Sequence, residues 1–149
     1  MSRQLRTEAR SVSATDPAVH ATTTLTHGRF VMTTMGHPFV ADQAAKHGGP
    51  GQAPGAAELF LASLLSCAFG IIQRTGRERG TPPTRVEADA SYTLNPDDRT
   101  RFTVIRMAFR FQGVAQDQAE GLVAAFVAQC PIYNTAARTT PTEITTTVS

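Results

Sequence analysis

The segment from Ala56 to about Arg79 constrains the fold most strongly. It has no interior proline, and its first half, AELFLASLLSCAFG from Ala57 to Gly70, is apolar on every side. The following RTGRERG places arginines just before Gly80 and a pair of prolines, which is a typical helix stop. Because a helix that is apolar all round must be surrounded by protein, this segment predicts a long central helix around which the fold is built.

Strand patterns flank this helix. Before it, ATTTLTHGRFVMTT (21–34) is rich in Thr and β-branched residues and is broken at His27-Gly28, which predicts a two-stranded hairpin, with a short third strand near 38–41. After it, VEADASYTL (86–94) alternates in polarity and RFTVIRMAFRFQ (101–112) returns to form a second hairpin. The second of these strands should present one face made of Thr103, Ile105, Met107, Phe109 and Phe111.

The remaining segments complete an α+β domain. Asp117 is predicted to cap a helix through QAEGLVAAFVAQ, Cys130 to cap a short helix beginning at Pro131, and TEITTTV to form a last strand. The Gly- and Pro-rich stretch AKHGGPGQAPG (45–55) predicts a long loop, and long ordered loops are often functional. Strands, long helix, strands, helices and strand in this order indicate the α+β class.

Length and charge limit the possible functions. The 149 residues are typical of one domain, so we predict a single domain over 1–149, with 1–20 as a flexible or peripheral segment. The 14 basic and 12 acidic residues form no basic stripe, so no nucleic-acid partner is expected. No apolar signal region opens the chain and no uninterrupted apolar run reaches about 20 residues, so we expect no membrane partner and a cytoplasmic location.

Two cysteines raise the question of chemistry. Cys67 lies in the centre of the apolar helix, and Cys130 precedes a proline in QCPIYNTAAR. In a reducing compartment a structural disulfide is disfavoured, so each is either a small core residue or an active thiol. Core packing is the simpler interpretation of Cys67. At a helix N-terminus Cys130 would be favoured as a thiolate, although it could equally be a weak N-cap before a proline.

Two other cysteine chemistries fit the sequence poorly. A zinc site is not predicted, because the cysteines are 63 positions apart without CxxC spacing and the histidines have no paired ligand spacing: His20, His27, His37 and His47. A cysteine hydrolase lacks a partner base, since Cys67 lies in mid-helix and no histidine follows position 47.

Three motifs together resemble the OsmC/Ohr family of thiol-dependent hydroperoxide reductases. They are the loop HGGPGQAPGAAELF, a helix with Cys67 eight residues after Leu59, and QCPIYNTAAR, and the resemblance extends over about 21–148. It implies an intertwined homodimer whose curved antiparallel sheets pack around a long central helix. It also implies a peroxidatic Cys67, a resolving Cys130, a Cys67–Cys130 disulfide, and no cofactor other than an external dithiol reductant, for example of the lipoyl type.

The same resemblance suggests assisting residues. In the organic hydroperoxide resistance subgroup an arginine and a glutamate assist the thiolate, and Arg29 in THGRF matches the arginine, with a solvent-facing strand arginine as the alternative. The glutamate position falls on Ala57, and the nearest acid is Glu58. Nine residues of continuous helix would separate Glu58 from Cys67 by about 13.5 Å along the axis. Glu58 would therefore act through Arg29, across the dimer or on the helix N-terminus, or the helix begins after it.

The apolar surroundings of Cys67 suggest the substrate. Phe60, Leu64 and Phe69 are predicted to line an apolar pocket that favours organic hydroperoxides over hydrogen peroxide, with core packing as their alternative role. Apolar surroundings also disfavour a thiolate, so Cys67 needs a nearby cation, for which Arg29 is the candidate. The favoured function is an organic hydroperoxide reductase for oxidative stress defence. An OsmC-fold small-molecule binding protein and a structural pair of buried cysteines are the alternatives.

Overall fold

The computed structural model describes residues 18–149, so most of the predicted peripheral segment 1–20 lies outside the described residues. The fold is α+β, as the sequence predicts, and the described elements follow in this order: β1 (His20–Thr23), β2 (Arg29–Thr34), β3 (His37–Asp42), a 3₁₀ turn (Ala45–His47), α1 (Ala56–Glu78), β4 (Arg85–Leu94), β5 (Phe102–Gln112), α2 (Gln116–Gln129), α3 (Pro131–Ala137) and β6 (Thr142–Val148). Contacts divide the chain into two compact units, Met1–Ala56 and Ala57–Ser149. The single-domain organisation stays a prediction.

The N-terminal unit contains an antiparallel sheet in the order β1-β2-β3. The predicted hairpin break is confirmed, since Gly28 adopts a φ of +74° and the next amide, that of Arg29, donates to the carbonyl of Thr26. A positive φ is a conformation that glycine adopts without steric cost. The predicted third strand is also present and is two residues longer than the pattern 38–41 indicates.

The loop after β3 is held by its own backbone. The amide of Gln43 donates to the carbonyl of Gly28 at 2.7 Å, and the amide of Gly51 donates to the carbonyl of Gln43 at 3.2 Å. A Cβ at Gly49 would collide with the Gln43 carbonyl, so the loop can close against this backbone only with glycine there. The glycine-rich composition that marks the loop in sequence is therefore what allows it to pack.

Helix α1 begins at the predicted residue and ends one residue before the predicted end, followed by Gly80 at a φ of +68°. Its buried apolar residues lie on one face: Leu61, Leu64, Ala68, Ile71 and Ile72. In contrast to the expectation of a helix surrounded on all sides, the opposite face is exposed in the described chain. That face carries small residues, which present little apolar area to be covered: Ala62, Ser63, Ser66 and Gly70.

Helix α1 is also, among the described residues, the one helix long and apolar enough to cross a membrane by length and composition. This is weak evidence for a membrane span, because the core helix of a soluble protein has the same composition. Its buried face packs instead into the hydrophobic core of the second unit.

The C-terminal unit contains the sheet β4-β5-β6. The predicted β4–β5 hairpin is present, and its core face includes four of the five predicted residues: Ile105, Met107, Phe109 and Phe111. Thr103 is exposed and Val104 is buried instead. The pairing of β5 with β4 passes from Val104 directly to Phe102, so Thr103 is an extra residue on β5 that interrupts the alternation. Strand β6 pairs with β5 in parallel, which its sequence pattern does not predict.

Helix α2 covers the same core. Phe126 is fully buried, with its ring centroid 6.0 Å from that of Phe109. The predicted cap is wrong: the N-cap residue is Ala115, and Asp117 lies within the first turn. The helix begins earlier because the Gln118 side chain reaches back and accepts the Ala115 amide hydrogen at 2.9 Å.

Candidate active site

The two cysteines meet although 63 positions separate them. A disulfide joins Cys67, in the middle of α1, to Cys130, and their Cα atoms are 6.4 Å apart. This separation lies within the range that disulfide geometry allows. Cys67 is half-buried, whereas Cys130 has 0% exposure. Cys67 is therefore the more accessible residue of the pair.

Cys130 occupies the single-residue break between α2 and α3, as predicted. It has an extended backbone with φ −80° and ψ 113°, and Pro131 opens α3. Its Sγ accepts a hydrogen bond from the Tyr133 amide at 3.2 Å. This hydrogen bond holds the Cys130 side chain at the first turn of α3.

Arg29 forms a two-pronged ion pair with Asp42, its cross-strand partner at the end of β3. Nε and Nη2 of Arg29 donate to the two carboxylate oxygens, each at 2.8 Å, and Nη2 also donates to Oε1 of Gln52 at 3.0 Å. The Arg29 side chain is 30% exposed and that of Asp42 is fully buried. Arg29 is thus half-buried and paired, and its action on Cys67 stays a prediction.

Asp42 also fastens the glycine-rich loop. The amides of Gln52 and Ala53 donate to its Oδ2 at 2.9 and 3.0 Å. The hydrogen bond from Arg29, supported by these two amides, lowers the pKa of Asp42 to about 2 in spite of its burial. The carboxylate is therefore charged at neutral pH and joins the strand end, the arginine and the loop.

Sequence reasoning missed Asp42 because a single acid after a short strand pattern carries no specific signal. Its partner becomes evident only from the register that places Arg29 opposite Asp42. An acid directly before a long glycine-rich loop, which needs hydrogen-bond acceptors for its amides, is the signal that could have identified it.

Glu58 is exposed in the first turn of α1. The helix is continuous from Ala56 through Cys67, so the possibility that it begins after Glu58 is excluded. About 13.5 Å of helix axis separates Glu58 from Cys67, and Glu58 cannot contact Cys67 within its own chain. The role of Glu58 at the site stays a prediction.

The predicted pocket residues divide into two groups. Leu64 is 1% exposed and belongs to the core, whereas Phe60 and Phe69 are half-buried and pack against it. The Phe60 ring centroid is 6.1 Å from that of Phe102, which is in turn 4.4 Å from that of Tyr92. Sequence reasoning missed this aromatic cluster, because the two strand residues are far from α1 in sequence.

The described residues contain no group of three or more His, Cys, Asp or Glu side chains that could hold a metal ion. The polar groups at the α2–α3 break are backbone amides and carbonyls together with the side-chain amide of Asn134. The chemistry available from the pair itself is thiol–disulfide chemistry.

Comparison of the sequence with known proteins gives one family match. The sequence matches the family described as OsmC-like protein over residues 49–145. Among curated proteins, none matches the chain by sequence.

Solved structures share the fold at low identity. An OsmC-like protein from Mycoplasma pneumoniae has a TM-score of 0.77 at 10% identity, covering 91% of this chain and 99% of its own. The organic hydroperoxide resistance protein OsmC from Legionella pneumophila has a TM-score of 0.70 at 19% identity, covering 93% and 99%. The organic hydroperoxide resistance protein OhrB of Bacillus subtilis has a TM-score of 0.63 at 16% identity, covering 86% and 95%.

Proposed function

The chain belongs to the OsmC-like protein family, and on this premise we propose that it is a thiol-dependent peroxidase that reduces organic hydroperoxides to alcohols in oxidative stress defence. The observation that carries the proposal is the disulfide between Cys67 and Cys130. A pair with one half-buried and one fully buried cysteine suits a peroxidatic and a resolving thiol. The relatives named as organic hydroperoxide resistance proteins support the substrate class.

The first half of the cycle oxidises the cysteines. The Cys67 thiolate attacks the distal oxygen of the hydroperoxide, the O–O bond breaks, and the leaving alkoxide takes up a proton to become the alcohol. Cys67 is then a sulfenic acid. The thiol of Cys130 attacks this sulfur, the disulfide forms, and the sulfenic oxygen leaves with two protons as water.

The second half of the cycle requires an external dithiol, for which a lipoyl-type compound is the proposed class. One of its thiolates attacks the protein disulfide, its second thiol displaces the enzyme sulfur, and the compound leaves as its own disulfide. Both protein thiols are restored with the two protons of the reductant. No bound cofactor takes part in this cycle.

Arg29 is proposed to stabilise the Cys67 thiolate, which apolar surroundings otherwise disfavour. Asp42 fixes the position of the guanidinium, which it holds at two nitrogen atoms. Glu58 is proposed to assist from the helix N-terminus, where a negative charge is stabilising, or across a dimer.

The proposed substrates carry an organic tail. Phe60 and Phe69 would supply half-buried apolar surface next to the core, with Leu64 behind them as packing. Removing apolar tail surface from water would favour binding of organic hydroperoxides over hydrogen peroxide. We further propose a cytoplasmic homodimer without nucleic-acid or membrane partners.

A small-molecule binding protein of the same fold is the second candidate. It is favoured by the pairing of Arg29 with Asp42 and Gln52, which occupies donors that a thiolate would need. Such a protein would retain an apolar pocket and the cysteine pair but show little peroxide turnover.

Peroxide consumption by the purified protein with a lipoyl-type dithiol tests the proposal. Wild type should consume an organic hydroperoxide faster than hydrogen peroxide, Cys67→Ser should consume neither, and Cys130→Ser should lose turnover with a dithiol. Ser91→Ala is the matched control, because Ser91 is an exposed residue of β4, outside the helices that carry the two cysteines. If wild type consumes peroxide no faster than Cys67→Ser, the peroxidase function is contradicted and the small-molecule binding function remains.

A further inference from the structure

The break between α2 and α3 removes a hydrogen bond that the helix would otherwise make. The amide of Cys130 still donates to the carbonyl of Phe126 at 2.9 Å, the normal pattern of the last helical turn. The next donor in this pattern would be the amide of residue 131, directed at the carbonyl of Val127. Residue 131 is proline and has no N–H, so the Val127 carbonyl lacks its helical partner.

The side chain of Asn134 supplies the missing donor. Its Nδ2 donates to the carbonyl of Val127 at 2.9 Å and to the carbonyl of Cys130 at 2.8 Å. One amide group thus connects the last turn of α2 to the first residue after it. Asn134 is half-buried, which strengthens these bonds relative to bonds exposed to water.

These bonds act on the residue that carries the sulfur. Cys130 is extended, as the residue before a proline prefers, and its Sγ lies within hydrogen-bond distance of the Tyr133 amide. If α2 or α3 rotated at this break, both the sulfur position and the 6.4 Å approach to the Cα of Cys67 would change.

We propose that Asn134 is a positioning residue for Cys130, which it holds at the α2–α3 break in the orientation that forms the disulfide with Cys67. The inference rests on the cysteine pair of the proposed function and deepens it. Asn134 acts through the backbone of Cys130 and takes no part in the chemistry itself.

The equilibrium constant of thiol–disulfide exchange between the protein and glutathione measures this positioning and needs no peroxide. In this reaction the S–S bond of glutathione disulfide breaks, the Cys67–Cys130 bond forms, and the two protein thiols pass their electrons and protons to two molecules of glutathione. The equilibrium constant compares oxidised with reduced protein, so a side chain that stabilises both forms equally does not change it. Acid quenching, alkylation and mass spectrometry give the oxidised fraction at each glutathione ratio.

Asn134→Ala and Asn134→Asp should each lower this equilibrium constant about tenfold, roughly the net effect of one to two hydrogen bonds. The aspartate variant keeps the shape but presents oxygen to two carbonyl oxygens. Thr135→Ala is the matched control: the Thr135 hydroxyl donates to the Pro131 carbonyl at 2.7 Å within α3 and does not reach α2, so its constant should stay within about twofold of wild type.

A double variant separates positioning from stability. Pro131→Ala with Asn134→Ala returns a backbone donor to the Val127 carbonyl and restores the helical hydrogen bond, so it should fold even if the single variants do not. We expect its equilibrium constant to stay about tenfold below wild type. An equilibrium constant equal to that of wild type, in this double variant or in Asn134→Ala, would overturn the proposal.

The outcomes also distinguish this inference from the proposed function. If Asn134→Ala lowers the equilibrium constant but wild type shows no peroxide turnover, the role of Asn134 is kept and the peroxidase is rejected. If Asn134→Ala leaves the equilibrium constant unchanged and wild type turns over peroxide, only the role of Asn134 is rejected.

Discussion

At the residue scale, Asp42 shows how a buried charge can be stable. Its carboxylate has no exposed side-chain surface, yet it accepts two hydrogen bonds from Arg29 and one each from the amides of Gln52 and Ala53. A buried charge left without partners is strongly unfavourable, whereas one with all its acceptors used is tolerated. We therefore interpret Asp42 as the residue that holds the start of β2, the end of β3 and the glycine-rich loop together.

The lowered pKa of Asp42 makes stability depend on pH. Its pKa falls from the ordinary value of 3.8 to about 2 on folding, chiefly through the hydrogen bond from Arg29. A group with a lowered pKa stabilises the fold fully above its unfolded pKa, so this contribution should be lost as the pH falls from about 4 to about 2. Urea unfolding across this pH window should show the loss.

The variant Asp42→Asn tests the assignment. It should be less stable than wild type at pH 7, and its stability should fall less steeply between pH 4 and pH 2. Asp89→Asn, which removes an exposed ion pair with Arg110, is the control and should change the stability at pH 7 little. Equal slopes in wild type and Asp42→Asn would show that Asp42 does not carry this pH dependence.

At the element scale, the disulfide connects two parts of the second unit. It links the middle of α1 to the junction of α2 and α3 and closes a chain segment with a separation of 63 residues. Closing a segment of this length reduces the conformational freedom of the unfolded chain. The same bond that serves the proposed chemistry therefore also couples helix packing to the redox state.

Oxidised protein should be more stable to urea than reduced protein by about 2 to 4 kcal/mol, since the crosslink restricts the unfolded chain. Equilibrium unfolding of the wild type with and without a reductant measures the difference. The Cys67→Ser/Cys130→Ser double variant should give one midpoint under both conditions. Identical midpoints for oxidised and reduced wild type would exclude a stabilising crosslink.

At the scale of the whole molecule, the described chain leaves much apolar surface uncovered. Several large apolar side chains are more than one-third exposed: Val19, Leu25, Met35, Phe39, Val40 and Ile132. The small-residue face of α1 is exposed as well. Exposed apolar surface of this kind is typical of a subunit that associates with another chain.

We therefore expect a homodimer in solution. Sedimentation at micromolar concentration should give a mass twice that of the 15.9 kDa chain, because a symmetric pair buries the same apolar patches on both subunits. The mass should stay constant over a tenfold dilution if the interface is obligate. A species of 15.9 kDa throughout the series would rule out the homodimer.

Local patterns were sufficient for most elements. The stop at Gly80, the turn at Gly28 and the break at Pro131 all follow from backbone restrictions that act within a few residues. The extent of α1 and the β4–β5 hairpin follow from periodicity in the same way. The bulge that exposes Thr103 does not, because it depends on the register between β5 and β4.

The sequence by itself determined the α+β class, the long apolar helix and the place of each cysteine on its element. Only the tertiary structure decided the parallel pairing of β6, the ion pair of Arg29 with Asp42 and the bonds of Asn134 across the helix break. The approach of Cys67 to Cys130 was implied by the family resemblance alone, and the structure confirms it. The reason is physical: helix and strand signals come from neighbouring residues, whereas these pairings depend on register and packing between segments distant along the chain.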